Sequence, residues 1–354
     1  MRFEELSLPL PCTERLWDAP SEQAWQYYTS NEPQGRLGKA FQQGCICIFN
    51  GSSEFDDLPL GLPDYEVGMC AMQSRLWEDT RKKHEFQRLE VDPTGTQQDW
   101  PFFAGAYAQS RPIQLEHWRK GAEECRHFGA RENLFSPLTQ IETNFTIMNL
   151  YHMSHLRYHS DVALVRSLAE REDDPSQNSR RRQRREILMQ EWAATSDARL
   201  AVWHAAQLWR LHAEEVHFLL QQSSVVNPAT RICLFTASLV VWAFCRCTKV
   251  CDECSDAGGV VPVYGEPPAP PMKQSAIELT RIDQLEDEYH NWVNGKARAS
   301  VNGVILCASE VPLLMEEFRR VMATSKPEWS SYSSYLDVLD RLKEVRPRSD
   351  RGLQ

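Results

Sequence analysis

The stretch DARLAVWHAAQLWRL, residues 197–211, decides the fold. With the next turn included, Val202, Ala206, Trp209, Ala213 and Val216 recur at spacings of four, three, four and three, the rhythm of one helix face. Such a seam faces a core. Burying one of its Val or Trp side chains is worth on the order of 2 kcal/mol. Ala205 and Ala206 are small enough to admit a neighbouring helix closely. Trp203 and His204 lie beside the seam, where an indole N–H meets a partner at the edge. The tryptophans therefore read as interior packing and not as cofactor contacts.

The same rhythm extends in both directions. PDYEVGMCAMQSRLW places Tyr65, Met69, Met72 and Leu76 on one face. SPLTQIETNFTIMNLYHMSHL opens with Ser136 as N-cap and Pro137 at the first helical position, and its stripe runs Ile141, Phe145, Met148, His152, His155. NPATRICLFTASLVVWAF repeats that start with Asn227 and Pro228 and is then apolar all round, which predicts a central helix. In SAIELTRIDQLEDEYHNWVNG, Ser275 and Glu278 read as a capping box, Ile282, Leu285, Tyr289 and Trp292 as the buried face, and Gly295 as the stop. Pro312 restarts a helix with Leu314, Phe318 and Val321 inward, and the last helix uses Tyr332, Leu336 and Leu339.

No sustained period-two alternation flanked by hairpin turns is found. The expected fold is all-α: a single large bundle of about ten helices over residues 1–345, with a frayed tail at 346–354. Loops are expected at about 170–182, charged and polar, and at about 251–274, rich in Gly and Pro.

Composition narrows the function classes. The chain has 354 residues with 42% apolar and 25% charged, enough apolar content for a large core. A formal charge of −10 argues against the chain as a whole holding nucleic acid. The apolar run Ile232–Cys245 is shorter than the ~20 residues that span a bilayer, so it reads as a buried helix, with no membrane partner expected. Glu4 and Glu5 interrupt the first residues, which lack a signal-peptide core. The eleven cysteines then suggest reduced thiols in cytosol or nucleus.

Four groups of residues carry candidate chemistry. His152, His155 and His159 stand at i, i+3 and i+7, where neutral imidazoles on one helix face can share a metal; equally, they continue a core stripe. Cys245, Cys247, Cys251 and Cys254 fall within one short stretch, and four thiolates can close a zinc site. Yet the first two end an apolar helix and point apart, so buried free thiols are the alternative. One Glu-x-x-His, Glu214 to His217, lacks the second copy that a di-iron bundle needs. Arg180, Arg181, Arg182, Arg184 and Arg185 form a basic run that fits a nuclear-import signal or a solvated helix start. EREDDPSQ lacks a third acid at Gln177 and is rejected as a magnesium site. No phosphate loop, G-x-G-x-x-G or G-x-S-x-G occurs.

Three stretches carry a family resemblance. LPLPCTERLWDAPSEQAWQ (8–26), the AVWHAAQ core of residues 197–211, and LFTASLVVWAF (234–244) resemble, in order and spacing, segments of the fungal-specific, or middle-homology, transcription factor domain. The likeness covers about residues 1–345, and AVWHAAQ is its most specific part. It implies an all-helical, non-catalytic regulatory region of a fungal zinc-finger-type transcription factor, acting in the nucleus on RNA polymerase II transcription through protein contacts, self-association among them. In that family zinc belongs to fingers N-terminal to this region. No finger pattern occurs in these residues, so DNA contact is expected only through such a module, or the chain is a fingerless interaction protein. No cofactor and no catalytic residue are expected. The alternative is a metal-dependent helical enzyme using the histidines at 152, 155 and 159 or the cysteines at 245–254.

Overall fold

Asn227 starts the most buried helix as anticipated: its Oδ1 accepts from the Ala229 amide at 3.0 Å, and Pro228 occupies the first turn. This helix is one of twelve α-helices described in the computed structural model. The structure describes residues 14–31, 60–74, 103–132, 137–170, 179–221, 227–248, 276–281, 283, 285–324 and 331–344.

The elements are α1 (Glu14–Trp17), α2 (Glu22–Ser30), α3 (62–74), α4 (Phe103–Glu132), α5 (Pro137–His159), α6 (Val162–Glu170), α7 (Ser179–Ala193), α8 (Ser196–Gln221) and α9 (Pro228–Cys247). There follow β1 (Ile277–Glu278), α10 (Glu286–Val293), β2 (Ala299–Val301), β3 (Val304–Ile305), a 3-10 turn (Ala308–Glu310), α11 (Val311–Ala323) and α12 (Ser331–Glu344). The all-α, many-helix class stands.

The chain divides into two units, Met1–Ser154 and His155–Gln354, with the boundary inside α5. In the first unit α3 starts from a back-reaching carboxylate: Asp64 Oδ2 accepts from the Gly61 amide at 2.7 Å, two residues after Leu62 begins the helix. Its Met69 and Met72 pack with Leu115, Trp118, Ile147 and Leu150 in one apolar cluster. Trp118 donates its indole N–H to the Tyr65 carbonyl at 2.8 Å, which satisfies the one polar atom of a buried ring. Tyr151 and Arg119 both donate to Glu116, whose carboxyl the guanidinium holds below its ordinary range despite partial burial.

In the second unit α9 touches α6, α7, α8, α11 and α12, and Cys233 to Cys245 are buried without interruption. The helix is long and apolar enough to cross a bilayer by length and composition, but most of that stretch is buried inside its own unit. On α8 the buried face is broader than a single seam. Ala201, Val202, Ala205, Ala206 and Leu208 are all fully buried, while Trp203 is half-buried. Val216 falls among residues whose side chains are outside the described set. Leu314, Phe318 and Val321 are buried on α11 as expected, as is Leu339 on α12, where Tyr335 also stacks on Phe235 with centroids 4.4 Å apart.

Three expectations are corrected. A small sheet is present, ordered β1-β2-β3: β1 runs parallel to β2, with Ile277 opposite Ala299, and β2 pairs antiparallel with β3, with Val301 opposite Val304. Its hairpin turns on Asn302 and Gly303, at φ +50° and +76°, the left-handed pair that an Asn-Gly turn adopts. Secondly, Glu278 belongs to β1 and to no capping box. Its carboxylate accepts from Thr280, from Ser300 Oγ at 2.9 Å, and from the amides of Asn302 and Gly303 at 2.9 and 2.7 Å. The helix starts only at Glu286, so Leu285 is exposed, although Trp292 is buried and Gly295, at φ +70°, ends the helix. Thirdly, α7 begins at Ser179, so the loop ends before the expected 182 or so, while the arginine run opens a helix in keeping with its helix-start reading. Residues 171–178, the whole 251–274 loop, the 346–354 tail, Ser136, Ser275, Ile282 and Leu76 lie outside the described residues, as does the side chain of Tyr332.

Candidate metal centre

The C-terminal turns of α5 carry His155 and His159 at i, i+4, on one face and one turn apart. The third ring comes from α8. His155, His159 and His204 place one ring nitrogen each within 4.8 Å of one another, and they are the group among the described residues able to hold a metal ion. His155 and His204 are buried, and the His159 side chain is 9% exposed.

The rings are stacked. His155 and His204 have centroids 4.3 Å apart and planes within 4° of parallel, and His159 lies 6.0 Å from the first and 6.2 Å from the second. Neighbouring groups fix these positions. Asp197, at the start of α8, meets His159 Nδ1 at 2.9 Å, and Trp192 donates to the His159 carbonyl at 2.9 Å. Trp203 lies edge-on to His204 at 4.8 Å and to Tyr289 at 5.4 Å. The tryptophan of AVWHAAQ thus walls the imidazole next to it. Gln207, one turn further along, donates to the Leu279 carbonyl at 2.6 Å and ties β1 to the same helix.

His152 is not part of this set. It stands seven residues before His159, about 10.5 Å along a helix axis, too far for both rings to reach one ion although they share a face. It is buried in the first unit, edge-on to Tyr151 at 5.0 Å. The sequence pattern found two of the three rings. The missing one, His204, sits inside the motif that decided the fold, but only tertiary packing reveals which helix faces the α5 pair.

The cysteine group is only partly described, because Cys251 and Cys254 lie outside the described residues. Cys245 is fully buried, and burial pushes its thiol well above the ordinary range, with Cys307 adding to the effect. Cys247 is pushed up to about 11, again by burial first. Thiols so placed stay protonated at neutral pH, and as a pair they have the character of packing groups. Glu214 is exposed and bonded to Arg210 at 3.1 Å, which leaves its Glu-x-x-His pattern a surface ion pair as far as the described side chains reach. Of the arginine run, Arg184 is exposed and Arg185 half-buried on α7; the side chains of Arg180, Arg181 and Arg182 are outside the described set.

The chain matches no family model, no curated protein and no solved structure. Its chemistry must be read from its own side chains. Two imidazoles from one helix and a third from another make a donor set suited to zinc, copper, nickel or cobalt and unsuited to calcium or magnesium. Cys233 and Cys307 are buried, and Cys307 Sγ accepts from Ser309 Oγ at 3.4 Å. His212 is buried on α8 and bonded to the backbone of Thr230, and burial pulls it down to about 3. No sequence signal singled out that histidine.

Proposed function

We propose that this chain is a non-catalytic regulatory region of the kind found in fungal zinc-finger transcription factors, working in the nucleus through protein contacts, with DNA held by fingers outside these residues. The observation that carries the reading is the role of the AVWHAAQ stretch. Its alanines and valine are fully buried, His204 and Gln207 are buried and Trp203 is half-buried, so most of the stretch serves packing. A motif of that kind specifies a fold and not a reaction. The apolar helix LFTASLVVWAF, which shares the resemblance, packs directly against α8. Self-association is part of the proposal: Trp17 and Trp25, both within the first resembling stretch, are 79% and 49% exposed, a pair of indoles available to a partner.

Joining the chain to an unrelated DNA-binding module and measuring transcription from a reporter tests the reading. A change from the module alone, upward or downward, is the expected result. A reporter indifferent to the fusion, with the tagged chain shut out of nuclei, overturns it.

A second reading, a metal-dependent helical enzyme, has the His155–His159–His204 group in its favour. Turnover of a substrate, abolished on replacing one of those imidazoles, would establish it in place of the first.

A further inference from the structure

We propose that His155, His159 and His204 bind one zinc-class divalent ion, which clasps the end of α5 to the first half of α8 in the second unit. The proposal is independent of any role in transcription. It stands on three observations beyond residue type.

The first is convergence. Ring nitrogens from two helices lie within 4.8 Å of one another in a buried place. Zinc–imidazole bonds of about 2.0–2.1 Å in a tetrahedron put the nitrogens about 3.4 Å apart. The gap to be closed is small. Because parallel rings cannot all aim at one point in their planes, closure requires His155 or His204 to turn about its Cβ–Cγ bond. That torsion is broad and soft for imidazole.

The second is orientation. Asp197 Oδ1 lies 2.9 Å from His159 Nδ1, so the carboxylate accepts the Nδ1 proton and leaves the Nε2 lone pair as the donor. A carboxylate behind a ligating histidine is the outer partner that fixes tautomer and raises basicity in zinc sites. The third is access. Asp197 is 64% exposed while His159 is nearly covered, so the trio borders solvent at its Asp197 end. Trp203 and Tyr158, edge-on to His204 and His159, shield the rings elsewhere. Three protein ligands leave a fourth position for water, the arrangement of an open zinc site.

The test uses the full chain, stripped with a chelator, kept reduced and titrated with zinc by calorimetry and with cobalt(II) by absorption. The expected result is one equivalent bound through nitrogen, with tetrahedral cobalt bands in the visible and no thiolate-to-cobalt charge transfer. Zinc should raise the melting temperature of the wild type. His159→Gln should abolish both effects. Asp197→Asn, at an exposed position that spares the core, should weaken binding by about 10–100-fold. No uptake of either ion overturns the proposal. So does a thiolate charge-transfer band, which would assign the metal to cysteines. Wild-type affinity in a folded Asp197→Asn chain and in His159→Gln would overturn it as well. Circular dichroism establishes folding in each variant.

Discussion

Gly68 lies directly beneath the indole of Trp118: a methyl group at that glycine would stand 1.8 Å from Trp118 Cζ2 and 2.4 Å from Cη2. The indole cannot withdraw cheaply, because its N–H is tied to the Tyr65 carbonyl one turn earlier on α3 and the ring is 1% exposed. The glycine is therefore what lets α3 and α4 approach.

Gly68→Ala should destabilise the first unit. Alanine regains about 1 kcal/mol of helix propensity, but overpacking a rigid site costs ~1–3 kcal/mol and here forces a helix or a buried ring to move. The expected outcome is a lower urea midpoint and a red-shifted, broadened tryptophan emission. A midpoint equal to or above wild type would show that the helices separate without cost.

Glu278→Gln should loosen the small sheet. The carboxylate spends its two oxygens on the amides of Asn302 and Gly303, on Ser300 and on Thr280, so it bonds β1 to the hairpin turn. An amide in its place offers one acceptor oxygen and turns an N–H₂ donor toward backbone donors. Leaving the part-buried Ser300 and Thr280 donors poorly matched costs ~1–3 kcal/mol, while water can replace the bonds to the exposed Asn302 and Gly303 amides. Hydrogen exchange at the Asn302 and Gly303 amides should accelerate clearly more than at Leu314 on α11. Equal protection in variant and wild type would make the carboxylate dispensable.

These two sites mark where the sequence is legible and where it is not. Helix starts with a local signal were readable: Asn227-Pro228 caps α9 through its own side chain, and Phe318 obeys the 3.6-residue rhythm because burial on α11 is one-sided. The hairpin escaped although Val301-Asn302-Gly303-Val304 contains its turn, since strands of two or three residues carry too little alternation to register. Glu278, three residues after Ser275, mimicked a capping box because the same spacing serves a carboxylate that bonds across the chain. The metal group was half visible for the same reason. His155 and His159 share a helix, whereas His204 arrives by tertiary packing, and His152 looked equivalent only while axial distance was ignored.

The arginine run should act as an import signal. It opens α7, where the Arg184 side chain is exposed. Replacing Arg180, Arg181, Arg182, Arg184 and Arg185 with glutamine keeps helix propensity and removes the charge. The nuclear-to-cytoplasmic ratio of a tagged chain should fall several-fold by fluorescence microscopy. An unchanged ratio would make the run a solvated helix face.

His212 should make the second unit sensitive to mild acid. Burial pulls its imidazole from an ordinary 6.5 down to about 3, Arg231 acts in the same direction, and the bond to the Thr230 backbone opposes both. The folded state therefore keeps the ring neutral over a range in which the unfolded chain protonates it. Because the unfolded state binds the extra proton, stability is complete above about pH 6.5 and declines as pH falls toward about 3. One pH unit in that window corresponds to about 1.4 kcal/mol, so roughly 2 kcal/mol is lost by pH 5. His212→Gln has no proton to take up. Its urea midpoint should be lower than wild type at neutral pH, through imperfect replacement of the ring, yet should fall less between pH 7 and pH 5. Parallel declines in the two proteins would place the acid sensitivity at other groups.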